Sequence, residues 1–141
     1  FVRRLYPPQA LKSLVKNCDF VVVTLPLTAE TRDMINAEVL AAFKPSAFLI
    51  DVSRGGIVDH EALIEALKTK RLAGAALDVF PEEPLSAESP LWAMPNVLIT
   101  PHIAGNTAFY DERAVNLFAE NLDRYISGLP LFNRYRPEAG Y

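Results

Sequence analysis

The feature that most constrains this fold is a set of four short apolar runs, which occupy residues 20–25, 47–52, 74–79 and 97–100. Their lengths are those of strands, and apolar residues stand at consecutive positions rather than at alternate ones. This pattern is typical of strands that are buried on both faces of a parallel sheet covered by helices. The sequence therefore predicts four parallel, buried strands.

Helical patterns separate these runs. They span residues 8–16, 36–42 and 61–70, and Asn36 and Asp59 are the predicted N-caps of the second and third helices. Strands that alternate with helices in this way predict an α/β fold with a doubly wound parallel sheet.

The last third of the chain has a different pattern. A proline-rich loop spans 80–95, and an amphipathic helix is predicted over 109–127, with Gly128 as its C′ residue. Its apolar stripe comprises Ala114, Leu117, Phe118, Leu122 and Ile126. The polar tail, 133–141, is expected to lie over the surface. We place a domain boundary between residues 104 and 105.

Composition excludes several classes of partner. The net charge of −3 over 141 residues provides no basic surface for nucleic acid or an anionic membrane, and no apolar run approaches the roughly 18 residues of a membrane span. One cysteine, Cys18, excludes an intramolecular disulfide and weakly indicates a reducing compartment. The two histidines are 42 residues apart and predict no metal site.

Polar residues and glycines follow the four apolar runs closely. They are Pro26, Ser53, Arg54, Gly55, Gly56, Asp78, Glu83 and His102. Parallel sheets bind ligands outside the carboxyl ends of their strands, so this edge is the predicted site. Gly55 and Gly56 would permit a tight turn and close approach of a ligand to the backbone.

Taken singly, most of these residues have an ordinary structural interpretation. Arg54 and Glu83 could be solvated surface residues, and His102 could be a core histidine bonded to a backbone carbonyl. Asp51 and Asp78 stand in apolar strands, where a buried carboxylate needs a hydrogen-bonding partner. Two further residues are expected to have only structural roles. His60 is expected on the surface, and Cys18 is expected to pack against its neighbours.

Four motifs in order resemble the D-isomer-specific 2-hydroxyacid dehydrogenases. The motifs are Leu25-Pro26-Leu27-Thr28, Ile50-Asp51-Val52-Ser53-Arg54-Gly55-Gly56, Ala76-Leu77-Asp78-Val79-Phe80 with Glu82-Glu83-Pro84, and Thr100-Pro101-His102-Ile103-Ala104-Gly105. The resemblance implies a Rossmann-like domain that binds NAD or NADP and a small 2-hydroxy or 2-oxo acid substrate. It extends from about Leu11 to the C-terminus.

The resemblance also implies roles for individual residues. Arg54 matches the arginine that binds the substrate carboxylate, His102 the general acid/base, and Glu83 the acid that pairs with the histidine. Asp78 matches an aspartate that contacts the nicotinamide carboxamide. The full set of implied cofactor contacts is Leu25, Pro26, Thr31, Val52, Ser53, Arg54, Asp78, His102, Ala104 and Gly105.

The chemistry suits these residue types. Reduction of a 2-oxo acid adds a hydride at C2 and a proton at the developing alkoxide, and a histidine beside a carboxylate can donate that proton near neutral pH. The planar fork of Arg54 can bind a carboxylate through two hydrogen bonds, which a lysine cannot do. Formate dehydrogenases, by resemblance, carry glutamine in place of Glu83, so the glutamate favours a hydroxy acid.

One family motif is missing from these residues, the Gly-x-Gly-x-x-Gly turn that binds pyrophosphate. That turn, the residue that separates NAD from NADP, and most of the substrate domain are expected before Phe1. By resemblance, residues 1–104 belong to the NAD(P)-binding domain, and the helix and tail in 105–141 return to the substrate domain. The isolated chain is therefore expected to bind NAD(H) weakly and to be inactive.

Two alternatives to an active dehydrogenase stay open. The family includes dinucleotide-sensing corepressors that keep similar residues, and the chain by itself could be an inactive fragment. For the full-length protein, the resemblance implies an enzyme that is a cytoplasmic homodimer.

Overall fold

A four-stranded parallel sheet forms the centre of this chain, whose computed structural model describes residues 2–138. The strands are β1 (Phe20–Val23), β2 (Phe48–Asp51), β3 (Gly74–Leu77) and β4 (Val97–Ile99), hydrogen-bonded in the order β1-β2-β3-β4. Every neighbouring pair is parallel. The four predicted strands are confirmed, although each ends one or two residues earlier than predicted.

Helices precede, connect and follow the strands at the predicted places. They are α1 (Leu11–Val15), α2 (Ala37–Leu40), α3 (His60–Lys68) and α4 (Tyr110–Ile126), with 3-10 turns at Pro8–Ala10 and Pro90–Ala93. Both predicted N-caps are confirmed. The Asn36 side chain accepts a hydrogen bond from the Val39 amide, and the Asp59 side chain accepts one from the Ala62 amide. No helix within residues 2–138 combines the length and apolar character needed to cross a bilayer.

The core lies between one face of the sheet and the first three helices. The strands follow one another in chain order, and right-handed crossovers then place every connecting helix on the same face. In agreement, α2 contacts both α1 and α3. The largest fully buried side chains are Phe43, Leu40, Leu49, Ile57, Leu63, Leu72, Leu77, Leu91, Val15, Val58, Val79 and Asp51.

The opposite face of the sheet is exposed, which the sequence pattern did not predict. Phe20 and Leu98 keep 65% and 63% of their surface, and the rings of Phe20 and Phe48 stack on this face with centroids 5.6 Å apart. The predicted α/β class with a parallel sheet is confirmed, whereas the expectation that both faces of the sheet are covered was wrong for the described residues. The reason is topological, because a strand order that never reverses sends all connecting helices to one side.

Two compact units divide the chain, residues 1–102 and 103–141. The first contains the sheet and α1 to α3. In the second, α4 buries none of its residues, and Asn121 and Arg124 hydrogen-bond to the carbonyls of Phe132 and Pro130. Gly128 has a φ of +66°, as expected for a C′ glycine. The predicted surface tail is exposed over 133–138, and residues 139–141 lie outside the described part.

Asp51 is a fully buried carboxylate at the end of β2. Its Oδ1 accepts hydrogen bonds from the amide and the hydroxyl of Ser53, whereas its Oδ2 is buried without a hydrogen-bonding partner. Burial raises the pKa of Asp51, and the two Ser53 hydrogen bonds oppose this shift only in part. The folded state therefore resists ionisation of this group.

We predict that Asp51→Asn changes how stability depends on pH. Because the folded-state pKa is raised, the wild type should lose stability as pH rises from about 4 through that pKa, whereas the amide of the variant cannot ionise. The variant should therefore gain stability relative to the wild type as pH rises from about 4 to about 7. Urea unfolding across this range measures the difference.

Asp33→Asn is the matched control, because Asp33 is exposed and asparagine also tolerates its positive φ of +50°. Its stability difference from the wild type should show no such trend. A pH-independent difference for Asp51→Asn would mean that folding does not penalise the charge on Asp51.

Candidate active site

The predicted site residues of the first unit follow the carboxyl ends of parallel strands. Arg54 comes three residues after β2, Asp78 comes directly after β3, and His102 comes three residues after β4. Because the strands are parallel, these positions share one edge of the sheet. Glu83 reaches this edge from the loop that follows β3.

Glu83 and His102 form the pair that the sequence predicts. Glu83 Oε2 lies 2.7 Å from His102 Nδ1, and the two side chains are 34% and 42% exposed. A carboxylate at Nδ1 fixes the ring orientation and leaves Nε2 as the nitrogen that would exchange a proton with a substrate. The predicted contact between the two side chains is confirmed.

A second hydrogen bond holds the other oxygen of Glu83. The Phe80 amide donates to Glu83 Oε1 over 2.9 Å. The hydrogen bond from His102, followed by that from the Phe80 amide, holds the pKa of Glu83 below its usual value. Glu83 is therefore kept ionised, as an acid that stabilises an imidazolium must be.

His102 has a strained backbone, with a φ of +54°. The left-handed region is uncommon for residues other than glycine, and it recurs at functional sites. Two residues earlier the chain is anchored to β3, since Thr100 donates from its amide to the Leu77 carbonyl and from its hydroxyl to Asp78 Oδ1. Asp78 is only 3% exposed, so Thr100 is a hydrogen-bonding partner of the kind that a carboxylate there requires.

Arg54 projects from a tight turn and is exposed. Its Nη1 donates to the Ser53 carbonyl over 2.7 Å, and Gly56 takes the positive φ of +94° that closes the turn. The Gly56 carbonyl accepts from the Asp33 amide. These hydrogen bonds fix the backbone of the turn, while the Arg54 guanidinium stays accessible to solvent and to a ligand.

Gly55 has a structural role that the sequence did not reveal. A Cβ built on Gly55 would lie 1.9 Å from the carbonyl oxygen of Phe80, so the approaching backbone belongs to the chain itself. The close approach at Gly55 is thus made by the chain itself, and the approach of a ligand to this turn stays a prediction. A sequence cannot reveal such a contact, because it joins two loops that are distant along the chain.

The predicted cofactor contacts of the first unit include two apolar residues that solvent reaches. Leu25 and Val52 follow β1 and β2 and are 40% and 36% exposed. Pro26 and Thr31 are linked to each other, since the Thr31 hydroxyl donates to the Pro26 carbonyl over 2.7 Å. Ser53 is buried on Asp51. Exposed apolar side chains suit a flat nicotinamide ring, so Leu25 and Val52 have the character that their predicted contact with a dinucleotide requires.

The remaining two predicted contacts, Ala104 and Gly105, lie in the second unit and are exposed. His102 is the last residue of the first unit. The pyrophosphate-binding glycine turn has no counterpart among these residues.

His60 is not the surface residue that the sequence suggests. It is partly buried, its Nε2 is buried without a hydrogen-bonding partner, and its ring meets the edge of Phe80 with centroids 5.8 Å apart. Burial lowers its pKa, and the nearby Asp59 opposes that shift. His60 is the first residue of α3, and its ring packs against Phe80 of the hydrophobic core. Cys18 is partly buried and its thiol donates to the Leu14 carbonyl, as packing would require.

An apolar cavity adjoins the Glu83–His102 pair. It measures about 480 Å³, and its lining consists of Phe80, Glu83, Pro84, Leu85, Trp92, Ile99, Thr100, Pro101 and His102. The pair thus stands at the wall of an apolar space that is large enough to receive a small ligand.

Comparison with known proteins agrees with this geometry. Residues 3–104 match the sequence model of the NAD-binding domain of D-isomer specific 2-hydroxyacid dehydrogenases. This chain belongs to that family. Glyoxylate/hydroxypyruvate reductase B of Pectobacterium carotovorum is 45% identical over 91% of this chain and 40% of its own length. D-3-phosphoglycerate dehydrogenase of Synechocystis is 46% identical over 85% of this chain and 22% of its own.

Solved structures share the fold. A D-isomer specific 2-hydroxyacid dehydrogenase from Xanthobacter autotrophicus, in complex with NADPH and MES, superposes with a TM-score of 0.88 at 46% identity. The match covers 94% of this chain and 54% of that one. The chain spans 40% or less of the two curated relatives named above.

We predict that Glu83→Gln removes a pH-dependent part of the stability. The pKa of Glu83 is lowered in the folded state, so its contribution should be fully present above about pH 4.3 and lost as pH falls through the folded-state pKa. The wild type should therefore exceed the variant in stability at neutral pH, and the difference should shrink on acidification. Urea unfolding from about pH 7 to about pH 3 measures it.

Glu82→Gln provides the control, because it removes an exposed carboxylate one residue away. The same acid dependence in both glutamine variants would show that the effect reflects general charge and not the contact with His102.

Proposed function

We propose that the protein containing this chain is an NAD(P)-dependent D-2-hydroxyacid dehydrogenase. The observation that carries the proposal is the Glu83–His102 pair, held at 2.7 Å at the carboxyl edge of a parallel sheet. Family membership supports the same chemistry, since the relatives are named as reductases or dehydrogenases of small 2-oxo and 2-hydroxy acids.

The proposed substrates are small 2-oxo acids such as glyoxylate and hydroxypyruvate, or the corresponding D-2-hydroxy acids of the glycerate and lactate type. The names of the relatives from Pectobacterium and Pyrococcus favour glyoxylate and hydroxypyruvate. The exposed guanidinium of Arg54 supports a substrate with a carboxylate.

The proposed cofactor is NAD or NADP, whose reduced nicotinamide supplies a hydride to C2 of the substrate when bound. Leu25 and Val52 would contact the nicotinamide end through their exposed apolar surface. The carbonyl of Pro26 and the turn around Ser53 would offer polar backbone groups nearby. Two related structures were solved with NADPH or NADP, which supports a dinucleotide of this kind.

In the proposed mechanism His102 moves the proton. Nε2 of the imidazolium donates to the substrate oxygen as the carbonyl at C2 becomes an alcohol, and the neutral imidazole recovers its proton from solvent. Glu83, kept ionised by its two hydrogen bonds, stabilises the imidazolium before the transfer. In the oxidative direction the same nitrogen accepts the proton of the hydroxyl group.

Arg54 would orient the substrate. A two-pronged hydrogen bond from its guanidinium to the carboxylate fixes both the position and the rotation of the acid, so that the carbonyl at C2 faces His102. The buried hydrogen bonds of Ser53 to Asp51 keep the turn that carries Arg54 in one conformation.

Three broader proposals concern the whole protein. Residues 1–104 belong to the dinucleotide-binding domain, and α4 with the tail belongs to the substrate domain, consistent with the absence of buried residues in α4. We propose a homodimer, as the family resemblance implies. A cytoplasmic location is supported by a single cysteine in 141 residues.

We predict that Arg54→Lys in the full-length protein impairs reduction of 2-oxo acids while leaving cofactor binding nearly intact. Loss of a two-pronged charged contact should cost about 1.5–3 kcal/mol of transition-state binding, or roughly 10- to 150-fold in kcat/KM. Steady-state assays with NADH and NADPH against glyoxylate, hydroxypyruvate and pyruvate measure turnover, and cofactor fluorescence measures binding.

Arg71→Lys is the matched control, because Arg71 bonds to the Ala41 carbonyl near the opposite end of the sheet. It should leave kcat/KM unchanged. A wild-type protein that binds the dinucleotide and turns over none of these acids would contradict the proposed activity and favour a sensing role.

A further inference from the structure

The main-chain unit of Phe80, which comprises its N–H and its carbonyl group, contacts both loops that carry the proposed catalytic groups. We propose that it is a positioning element, which fixes the Glu83–His102 pair relative to the Arg54 turn, and that Gly55 is the residue that makes this contact possible. The inference rests on the proposed function for its kinetic consequences, although its structural part can be tested without turnover.

The amide side of this unit holds Glu83. The Phe80 N–H donates to Glu83 Oε1 over 2.9 Å while Glu83 Oε2 meets His102 Nδ1 over 2.7 Å. Both oxygens of the carboxylate are thus engaged, one by backbone and one by the proposed acid/base. The orientation of the carboxylate, and with it that of the imidazole, depends on where the Phe80 amide lies.

The carbonyl side of the same residue touches the Arg54 turn. A Cβ at Gly55 would lie 1.9 Å from the Phe80 oxygen, 2.3 Å from its carbonyl carbon and 2.7 Å from the Pro81 nitrogen. Since Cβ contacts below 3.0 Å essentially never occur, any side chain at position 55 must displace one loop by about 1 Å or more. Only glycine allows the two backbones to meet at this distance.

The buried side chain of Phe80 keeps the backbone of this residue from shifting easily. Phe80 is 6% exposed, and its ring contacts the edge of the His60 ring, whose Nε2 is itself buried. The Phe80 loop is therefore held on its amide, carbonyl and ring sides at once. A displacement at Gly55 would pass to the Glu83 carboxylate rather than be absorbed by a loose side chain.

The first test is Gly55→Ala in the full-length protein. We expect kcat/KM for the 2-oxo acid to fall by about 100-fold, because a shift of about 1 Å in a catalytic group has consequences of that order. Dinucleotide affinity should change little. In the carboxyl ¹³C NMR titration, the pKa of Glu83 should move up toward its ordinary value as the Phe80 and His102 contacts loosen.

The second test removes only the hydrogen-bond donor. An ester in place of the Val79–Phe80 amide, introduced with phenyllactic acid at position 80, lacks the N–H but keeps the Phe80 side chain. It should raise the pKa of Glu83 in the same direction as Gly55→Ala does. Because the ester protein keeps Gly55, it tests the contact between the Phe80 amide and Glu83 even where Gly55→Ala folds poorly.

Gly74→Ala is the matched control. A Cβ there would lie 2.7 Å from the Asn96 carbonyl oxygen, so it also introduces a backbone clash, but at the amino end of β3. It should lower stability and leave both the pKa of Glu83 and kcat/KM near those of the wild type. Equal effects from Gly74→Ala and Gly55→Ala, or an unchanged Glu83 titration in the ester and Gly55→Ala proteins, would overturn the inference.

The two proposals fail in different ways. A wild-type protein without turnover on any 2-oxo acid would overturn the proposed function, while a shifted Glu83 titration in the ester and Gly55→Ala proteins would still support the positioning role. A wild-type enzyme that is active, with neither variant affecting rate or titration, would overturn the positioning role alone.

Discussion

The parallel pairing of β2, β3 and β4 is the constraint on which this site depends. In the register of the sheet, Asp51 pairs with Leu77, and Leu77 pairs with Ile99. Arg54, Phe80 and His102 each stand three residues beyond one of these positions. These three residues are distant along the chain, but each follows its strand at an equivalent position of the register. The turn of Arg54, the loop of Glu83 and His102 therefore share one edge of the sheet.

Two carboxylates near this edge experience opposite electrostatic environments. Asp51 is fully buried, so desolvation raises its pKa, and its hydrogen bonds organise the turn before Arg54. Glu83 stays a third exposed and is bonded to His102 and the Phe80 amide, which lower its pKa. Environments that separate the pKa values of two acids also separate their roles. Asp51 shapes the backbone, and Glu83 has the properties that its proposed role in proton transfer requires.

Local patterns in the sequence predicted the elements that local interactions determine. The four strands and the caps at Asn36 and Asp59 depend on residues close in the chain, and the structure contains them. The contact between Glu83 and His102 was also predicted, from the resemblance and from the rule that parallel strands gather their carboxyl ends. The roles of these residues stay predictions until turnover is measured.

Other features depend on contacts that no local pattern records. The exposed face of the sheet follows from the strand order, which an apolar run such as Phe20–Val23 does not reveal. The burial of His60 depends on the Phe80 ring, and the role of Gly55 depends on the Phe80 carbonyl. A glycine in a turn indicates that something approaches closely, but only the tertiary structure identifies what does.

Hydrogen bonds at Thr100 and at the imidazole ring hold His102 in its strained backbone conformation. A left-handed residue other than glycine costs on the order of 1–3 kcal/mol and persists only where its surroundings hold it. Thr100, two residues earlier, is fixed to the Leu77 carbonyl and to Asp78, and the imidazole itself is fixed by Glu83. These anchors let His102 keep 42% of its side chain accessible without losing its orientation. The proposed role of His102 as a proton donor requires a group that is both reachable and fixed, and the backbone strain is the cost of combining the two.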